Sequence, residues 1–319
     1  MTSTGKGTKT LQEWFTSPYT DLKELYNQAW VLTQKTFKQK ITAFRPGTAF
    51  PSVSVTGTRC KLHCQHCAGH FLHHMHTINT PQELITFCNN LANKQGVGCL
   101  ISGGCDENGT IPLTPFLSAF SEIKQSTNLL LNVHTGFLSA EQARGLSQTG
   151  IDYASVDVVG DDQTIHTVYG LTQRTTTDYI ETLKALEKSH IPIAPHICVG
   201  LQNGTLVGEL NALELIKSTI KPKLIVIIAL MPTEGTPMAA SDPPQPPDVA
   251  RICAIARLLF PNTEIALGCM RPRGAIRHQM EQLAIQAGIT RLVQPTNSTL
   301  HYLEKNGYTV SWQNACCVI

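Results

Sequence analysis

Residues 52–70 read SVSVTGTRCKLHCQHCAGH, and this stretch decides how the rest of the sequence is interpreted. A short β-rich run leads into Cys60, Cys64 and Cys67, which have the spacing C-x3-C-x2-C. A structural zinc site usually takes its four ligands as two close pairs. In this stretch there are three cysteines, so a nearby histidine would have to be the fourth zinc ligand. Three thiolates also suit an iron–sulfur cluster and would leave its fourth iron open. The spacing favours the cluster and leaves a non-catalytic zinc-binding module as the alternative.

The bulk composition excludes several classes of protein. A net charge of +2 over 319 residues argues against a broad nucleic-acid surface. The longest strongly apolar run, residues 224–230, is far shorter than the roughly 20 residues that a membrane span needs. The first residues lack the apolar core of a signal peptide. We therefore expect a cytoplasmic, reduced protein whose eleven cysteines are metal ligands or core residues rather than a disulfide framework.

Short β-rich runs alternate with amphipathic stretches along most of the chain, which predicts βαβ units and a parallel sheet. Eight such units favour a (β/α)8 TIM-type barrel, complete or nearly complete, over a six-unit open barrel. The predicted strands are 51–56, 98–102, 129–134, 152–158, 193–199, 224–230, 264–269 and 290–294. The predicted helices are 81–93, 113–125, 139–147, 172–189, 207–218, 246–259, 274–287 and 297–306.

Three regions are predicted. Residues 1–45 form an N-terminal extension, frayed over 1–15 and helical from 21 to 37, where the helix would be a lid or plug outside the main fold. Residues 46–306 form the barrel. Residues 307–319 form a C-terminal tail that folds over the barrel mouth.

The predicted strand ends carry metal-ligand residue types. In a barrel, functional residues lie where strands end and loops begin, on one face. Cys105, His134, Asp157, His196, Cys198 and Cys269 all fall at such ends. Cys88, Cys99 and Cys253 are instead expected in the core, since free cysteine is often simply buried.

The cysteine loop after the first strand resembles the signature loop of the radical S-adenosylmethionine (SAM) enzymes. That resemblance implies a [4Fe–4S] cluster on Cys60, Cys64 and Cys67, with S-adenosyl-L-methionine on the open iron. His66 takes the position whose side chain lies against adenine. Ser102, Gly103 and Gly104 resemble the turn that meets the methionine amino group, although Cys105 replaces the acid that usually follows. Asp157 is a candidate ribose or methionine contact, or only a helix cap.

Residues 182–238 resemble biotin synthase, and residues 46–319 resemble, more closely, one subunit of the two-protein lipoyl synthases. The motifs are GTRCKLHCQHCAGHFLHHM, ISGGCDENGTIPL, LNVHTG, ASVDVVGD, PHICVGL, LMPTEGTP, LGCMRPRG and a final Cys-Cys pair. They fall in one order over residues 46–319. The resemblance is to the subunit proposed to insert the second sulfur, at C6.

This resemblance implies a sulfurtransferase that inserts sulfur into an unactivated C–H bond of a protein-bound octanoyl chain. A second, auxiliary iron–sulfur cluster, of [4Fe–4S] type, would be consumed as the sulfur donor. Its candidate ligands are Cys105, Cys198, Cys269, Cys316 and Cys317. The implied partners are an octanoylated lipoyl carrier protein (an H protein or an E2 lipoyl domain), a second lipoyl synthase subunit, and an electron donor such as ferredoxin or flavodoxin. No nucleic acid or membrane partner is implied.

Two alternatives stay open beside the zinc module. One is biotin synthase or another radical SAM sulfurtransferase or methylthiotransferase. The other concerns residues 316–319, CCVI, which formally match a C-a-a-X prenylation box, although no polybasic stretch precedes them. We favour a tail whose cysteines serve the auxiliary cluster.

Overall fold

The computed structural model describes residues 9–319, and within that range one sheet of eleven strands is surrounded by helices. The strands are β1 (Lys40–Phe44), β2 (Ser52–Ser54), β3 (His76–Thr77), β4 (Gly98–Ser102), β5 (Leu130–His134), β6 (Tyr153–Asp157), β7 (Ile193–Val199), β8 (Leu224–Ala229), β9 (Glu264–Leu267), β10 (Arg291–Val293) and β11 (Thr309–Gln313). The helices are α1 (Leu11–Thr16), α2 (Leu22–Phe37), α3 (Pro81–Asn93), α4 (Leu117–Ser126), α5 (Ala140–Ser147), α6 (Asp162–Tyr169), α7 (Thr176–Lys188), α8 (Glu209–Thr219), α9 (Pro246–Leu259), α10 (Ala275–Gln286) and α11 (Asn297–Lys305).

The sheet is entirely parallel across its ten strand pairs. Its order is β11-β1-β10-β9-β8-β7-β6-β5-β4-β2-β3, so β11 and β3 are its edges. The predicted barrel-type fold is confirmed, as a curled sheet with two edges. All eight predicted strands and all eight predicted helices are present, with boundaries shifted by a few residues.

Two kinds of core flank this sheet, because successive strand residues point to opposite faces. The larger one lies between the strands and the helices and includes Ile101, Leu131 and Val133. The smaller one lines the inner face and draws side chains from five strands. It consists of Phe44, Ala194, Leu224, Val226, Ala266 and Val293, together with Cys317 and Val318.

The N-terminal region differs from the prediction. Residues 1–8 lie outside the described residues, but Thr10 starts α1 with a capping box on Glu13, so the expected fraying up to residue 15 is wrong. The predicted helix is confirmed as α2, yet it packs on α9 and α10 within the outer helical layer and is not a lid or plug. Strand β1 pairs with β10 and β11, so the sheet begins before residue 46.

The tail also differs from a cover over the mouth. Residues 309–313 form edge strand β11, which pairs with β1. Residues 314–319, called the tail segment below, then turn into the barrel, where Val318 is completely buried. The cysteines therefore enter the interior and do not lie across the opening.

Candidate active site

The cysteine loop forms a compact set of turns at the carboxyl end of β2. The main-chain amides of Cys67 and Ala68 both donate to the Cys64 carbonyl, at 3.1 and 2.7 Å. His63, Ala68 and Gly69 have positive φ angles, so the backbone is tightly folded here. These turns gather the three thiols. Hydrogen bonding to Cys64 lowers the pKa of Cys67 to about 4, with His66 acting in the same direction, and correspondingly raises that of Cys64.

The turn after β4 supports this loop from below. The Gly104 amide donates to the Thr56 hydroxyl at 2.7 Å, and the Lys61 amide donates to the Cys105 carbonyl at 2.8 Å. A Cβ on Gly104 would lie 2.1 Å from the Arg59 carbonyl oxygen and 2.6 Å from the Cys60 Cα. The glycine is required because the two backbones touch. The predicted Ser102–Gly104 turn is thus part of the cysteine loop's support.

His66 lies where the loop meets the end of α6. Its ring packs on Tyr169, with the centroids 5.1 Å apart, and it contributes a hydrogen bond to the Cys67 sulfur. Its Nδ1 is buried and finds no hydrogen-bond partner among residues 9–319. A buried ring nitrogen of this kind is costly unless a bound group satisfies it. The adenine contact assigned to His66 stays a prediction.

Asp157 lies at the barrel mouth. It ends β6, and its side chain is accessible to solvent although protein surrounds the mouth. Its negative charge contributes to the raised pKa of Cys105 on one side, about 12 and due mainly to burial, and to the raised pKa of Cys198 on the other. The carboxylate therefore lies between the cysteine loop and β7, and its role toward SAM stays a prediction.

Two histidines flank this carboxylate. The rings of His134 on β5 and His196 on β7 make an edge-to-face contact with centroids 5.4 Å apart. The Nδ1 of His196 bonds to the Ala194 carbonyl oxygen at 2.9 Å. Burial lowers the pKa of both rings, to about 4 for His196, where His134 acts in the same direction. The pair thus presents neutral imidazoles to the mouth at neutral pH.

A second group of thiols forms at the opposite wall. Cys269 follows β9 and is accessible to solvent. Its pKa is raised mainly by burial within the mouth and secondarily by the charge of Cys316. Cys316 and Cys317 hydrogen-bond to each other, which lowers the pKa of the first and raises that of the second. Cys269, Cys316 and Cys317 therefore lie within reach of one another's charge, on the same side of the barrel interior.

The other two predicted auxiliary ligands lie elsewhere. Cys105 is beside the cysteine loop, where its main-chain oxygen holds Lys61 and its pKa responds to Cys60. The structure therefore does not bring Cys105 to the Cys269 group, because the β4 turn points toward β2. Cys198 faces the mouth from β7, near Asp157. Whether it joins the group stays a prediction.

Several residues of this site were not predicted. Thr56 and Tyr169 hold the cysteine loop, through the Gly104 amide and through the Tyr169 carbonyl, which accepts from the Cys64 sulfur at 3.8 Å. Asn132 accepts from the Ser155 hydroxyl at 2.8 Å and donates to the Cys316 sulfur at 3.9 Å. Alternation along β5 and β6 could have placed Asn132 and Ser155 inside the barrel, but no local pattern indicates their partner in the tail segment.

The arginine that follows Cys269 is structural. Arg271 and Glu281 form an ion pair at 2.6 Å, and neither side chain is exposed. The guanidinium also donates to the carbonyl oxygens of Gly268 and Val293. It therefore ties the ends of β9 and β10 to α10 beneath the Cys269 loop.

Within residues 9–319, no three His, Cys, Asp or Glu side chains are arranged to hold a single metal ion. No helix in that range is both long enough and apolar enough to span a bilayer.

Comparison with known families assigns the cysteine loop. Residues 54–206 match the Radical SAM superfamily, and this part of the chain is a radical SAM domain. Residues 227–310 match the Biotin and Thiamin Synthesis associated domain, which makes the chain biotin-synthase-like.

Curated relatives agree with this assignment. Biotin synthase of Vibrio cholerae serotype O1 is 28% identical over 155 residues, which are 48% of this chain and 43% of that protein. Biotin synthase of Parvibaculum lavamentivorans is 30% identical over 138 residues, 43% of this chain and 40% of that protein. The matches thus span less than half of the length of these relatives.

Solved structures share the fold. Methylornithine synthase (PylB) superposes with a TM-score of 0.66 at 14% identity, covering 94% of this chain and 93% of that one. HydG, a maturase of the [FeFe]-hydrogenase, gives a TM-score of 0.69 at 15% identity, covering 96% of this chain and 73% of that one. At these identities the likeness concerns the fold alone.

The cysteine loop fits the cofactor that the radical SAM family implies. Its three thiols are gathered on one loop, and the Gly104 contact keeps the backbone close beneath them. The buried Nδ1 of His66, beside these thiols, has no hydrogen-bond partner among residues 9–319, and a bound group could satisfy it. Cys60, Cys64 and Cys67 would hold a [4Fe–4S] cluster, while its open iron would take SAM.

Proposed function

We propose that the protein inserts sulfur into an unactivated C–H bond of an octanoyl chain carried on a lipoyl carrier protein, as one of two cooperating subunits. The observation that carries this proposal is the second thiol group, Cys269 with Cys316 and Cys317, set apart from the cysteine loop inside the same barrel. A sulfur-inserting radical enzyme needs two such sites, and soft thiolates are the ligands that iron–sulfur clusters take.

Each group of residues has a distinct task in this scheme. When bound, SAM and the first cluster supply a carbon-centred radical, and the second cluster supplies sulfur. The chain itself supplies position and shelter. Asp157, His134 and His196 line the space between the two thiol groups and offer a carboxylate and two neutral imidazoles.

The wall beside them suits an acyl chain. Val226 is buried and Ile228 partly buried on the inner face of β8, next to the tail segment. Val226 is already covered by the tail segment, whereas the partly buried Ile228 could contact methylene groups of an acyl chain, each worth about 0.8 kcal/mol when buried. A small net charge of +2 fits a protein-bound acyl substrate better than a tRNA.

The relatives favour a second candidate, a biotin-synthase-type reaction on a free biotin precursor. The two candidates share the cluster sites and differ in the substrate. A partner lipoyl synthase subunit, an acyl carrier (an H protein or E2 lipoyl domain) and a ferredoxin or flavodoxin as electron donor belong to the first proposal.

Mass spectrometry after turnover distinguishes the candidates. The reconstituted protein is incubated with SAM, a reductant and an octanoylated carrier peptide, with and without the partner enzyme. We expect the peptide to gain sulfur and 5′-deoxyadenosine to form. The free biotin precursor, tested in parallel, is the control. Sulfur gain by the precursor and none by the peptide would favour the second candidate.

Reconstitution tests the zinc module at the same time. A brown protein with about eight irons corresponds to two [4Fe–4S] clusters. A colourless protein that holds zinc and forms no 5′-deoxyadenosine would end both enzymatic proposals.

A further inference from the structure

The tail segment fills space that strand side chains usually occupy. In closed barrels the interior is packed mainly by bulky branched residues from the strands themselves. Here Ala194 and Ala266 contribute small side chains, and Val318 and Cys317 pack beside them. The interior is therefore completed by a segment that arrives from the carboxyl end of β11.

The segment runs down the barrel axis. Cys316 is level with Asn132, in the middle of β5, where the amide group of Asn132 lies 3.9 Å from its sulfur. Ile319 is level with Arg291, the first residue of β10. The tail thus enters at the mouth and reaches the amino-terminal end of the strands.

A single arginine grips the lower end of the segment. The Nη1 of Arg291 donates to the carbonyl oxygen of Cys317 at 2.6 Å and to that of Ile319 at 2.7 Å. The Ile319 amide donates to the Cys316 carbonyl oxygen at 3.1 Å, which closes the segment into a turn. Glu264, at the start of β9, forms an ion pair with the Nε of Arg291 and so fixes the guanidinium.

The grip acts on main-chain atoms and therefore does not depend on the cysteines. Both partners of the pair are partly shielded, with 19% of the Arg291 and 33% of the Glu264 side chain exposed. Hydrogen bonds from a charged donor are roughly twice as strong as those between neutral groups. Two of them on one short segment are enough to decide whether it stays inside the barrel.

We propose that Arg291, oriented by Glu264, is a positioning residue that holds the tail segment in the barrel and so presents Cys316 and Cys317 to Cys269. This hold of Arg291 and Glu264 on the tail segment, called the latch below, is supported by their hydrogen bonds and ion pair alone. Its consequence for a second cluster rests on the proposed function.

Hydrogen–deuterium exchange on the full chain, before and after anaerobic reconstitution, tests the latch. We expect Arg291→Gln to speed exchange in residues 315–319 by on the order of tenfold or more, while the barrel strands keep their protection. The buried Cys317 thiol should become open to alkylation. Arg291→Lys, which keeps the charge, should restore part of the protection.

The matched control is Arg45→Gln. Arg45 follows β1, and its guanidinium stacks on Trp312 at 4.6 Å from the ring centroid. The variant removes the same charge near the base of the tail but leaves the Cys317 and Ile319 oxygens bonded. Exchange of residues 315–319 should stay as in the wild type.

A second variant releases the segment by a different contact. Val318→Asp places a charge in the apolar interior, which is unfavourable unless the segment leaves. It should reproduce the exchange pattern of Arg291→Gln. Unchanged exchange of residues 315–319 in Arg291→Gln, or an increase spread evenly over the barrel in both variants, would overturn the latch.

Iron content separates the latch from the proposed function. If both hold, Arg291→Gln and Val318→Asp lose about half of roughly eight irons and keep the rest on the cysteine loop. If the wild type itself holds only about four irons, the second cluster and the proposed function fail. Hydrogen–deuterium exchange of residues 315–319 still tests the latch in that case.

Discussion

The cysteine loop and the tail segment both bring thiols into the barrel, but they are held in opposite ways. The loop is built from neighbours in sequence, with turns between Cys64 and Ala68 and a backbone contact at Gly104. The tail segment is held by residues far away in sequence, Arg291 and the inner strand faces. Local spacing therefore shows how the first group of thiols is held together, whereas only the folded chain shows what holds the tail cysteines.

The largest expected effect is that variants of the cysteine loop and of the tail segment abolish different reactions. Cys64→Ser should reduce 5′-deoxyadenosine formation to the background rate, because the loop loses a ligand and the serine hydroxyl is a poor replacement. The double variant Cys316→Ser, Cys317→Ser should still form 5′-deoxyadenosine while losing sulfur insertion. Quantifying both products by liquid chromatography checks this. Cys253→Ala, buried in α9, is the control.

The comparison would break if the double variant also stopped forming 5′-deoxyadenosine. That outcome would mean that the tail segment takes part in forming the first site.

The next largest effect is expected from a variant that disturbs the backbone contact between Gly104 and the cysteine loop. Gly104→Ala should destabilise the protein by about 3 kcal/mol and impair cluster binding, because its Cβ would meet main-chain atoms that cannot move independently. Gly103→Ala is the matched control, since its Cβ would meet only side-chain atoms of Thr56 and Val55, at 3.2–3.3 Å. Urea unfolding and iron content measure both variants. Equal losses in the two would show that the contact at Gly104 is unimportant.

The smallest effect concerns the histidines between the two regions. The pKa of His196 is lowered to about 4 by burial and by His134, against about 6.5 in an unfolded chain. Between these values the unfolded chain binds more protons, so stability falls as the pH falls. We expect the metal-free protein to lose about 2 kcal/mol between pH 7 and pH 5 through this residue.

Urea unfolding at the two pH values checks this expectation. His196→Asn should remove most of the pH-dependent loss. His301→Asn, on the exposed face of α11, should leave it intact. The same pH dependence in the wild type and in His196→Asn would contradict the assignment.

The barrel itself could be predicted because its signals are local. Strand Leu224–Ala229 is a continuous apolar run, the other predicted strands are short β-rich runs, and the helices between them have their own periodicity. The two edge strands were not predicted, because they lack such local signals. Strand β11 is mostly exposed and β3 has only two residues, so neither shows a buried pattern. The short helix α6 is not among the predicted helices.

The site was predictable to the same extent. The positions of Cys60, Cys64 and Cys67 follow from spacing and strand order, and the structure gathers them as expected. The structure places Cys105 beside the cysteine loop and Cys269 near Cys316, whereas the sequence shows that both end strands but not which neighbour each turn packs against. The role of Arg291 could not be predicted from the sequence, because its partners are main-chain atoms of the tail segment.

The inner core has a consequence for how the chain folds. It joins Phe44 to Val318, so nearly the whole length of the chain must be present before this core can close. Parallel sheets with such distant contacts fold slowly, because loop-closure entropy is lost before the contacts form. Until residue 318 has been synthesised, the inner apolar side chains lack their cover, and transiently exposed apolar surface of this kind favours aggregation.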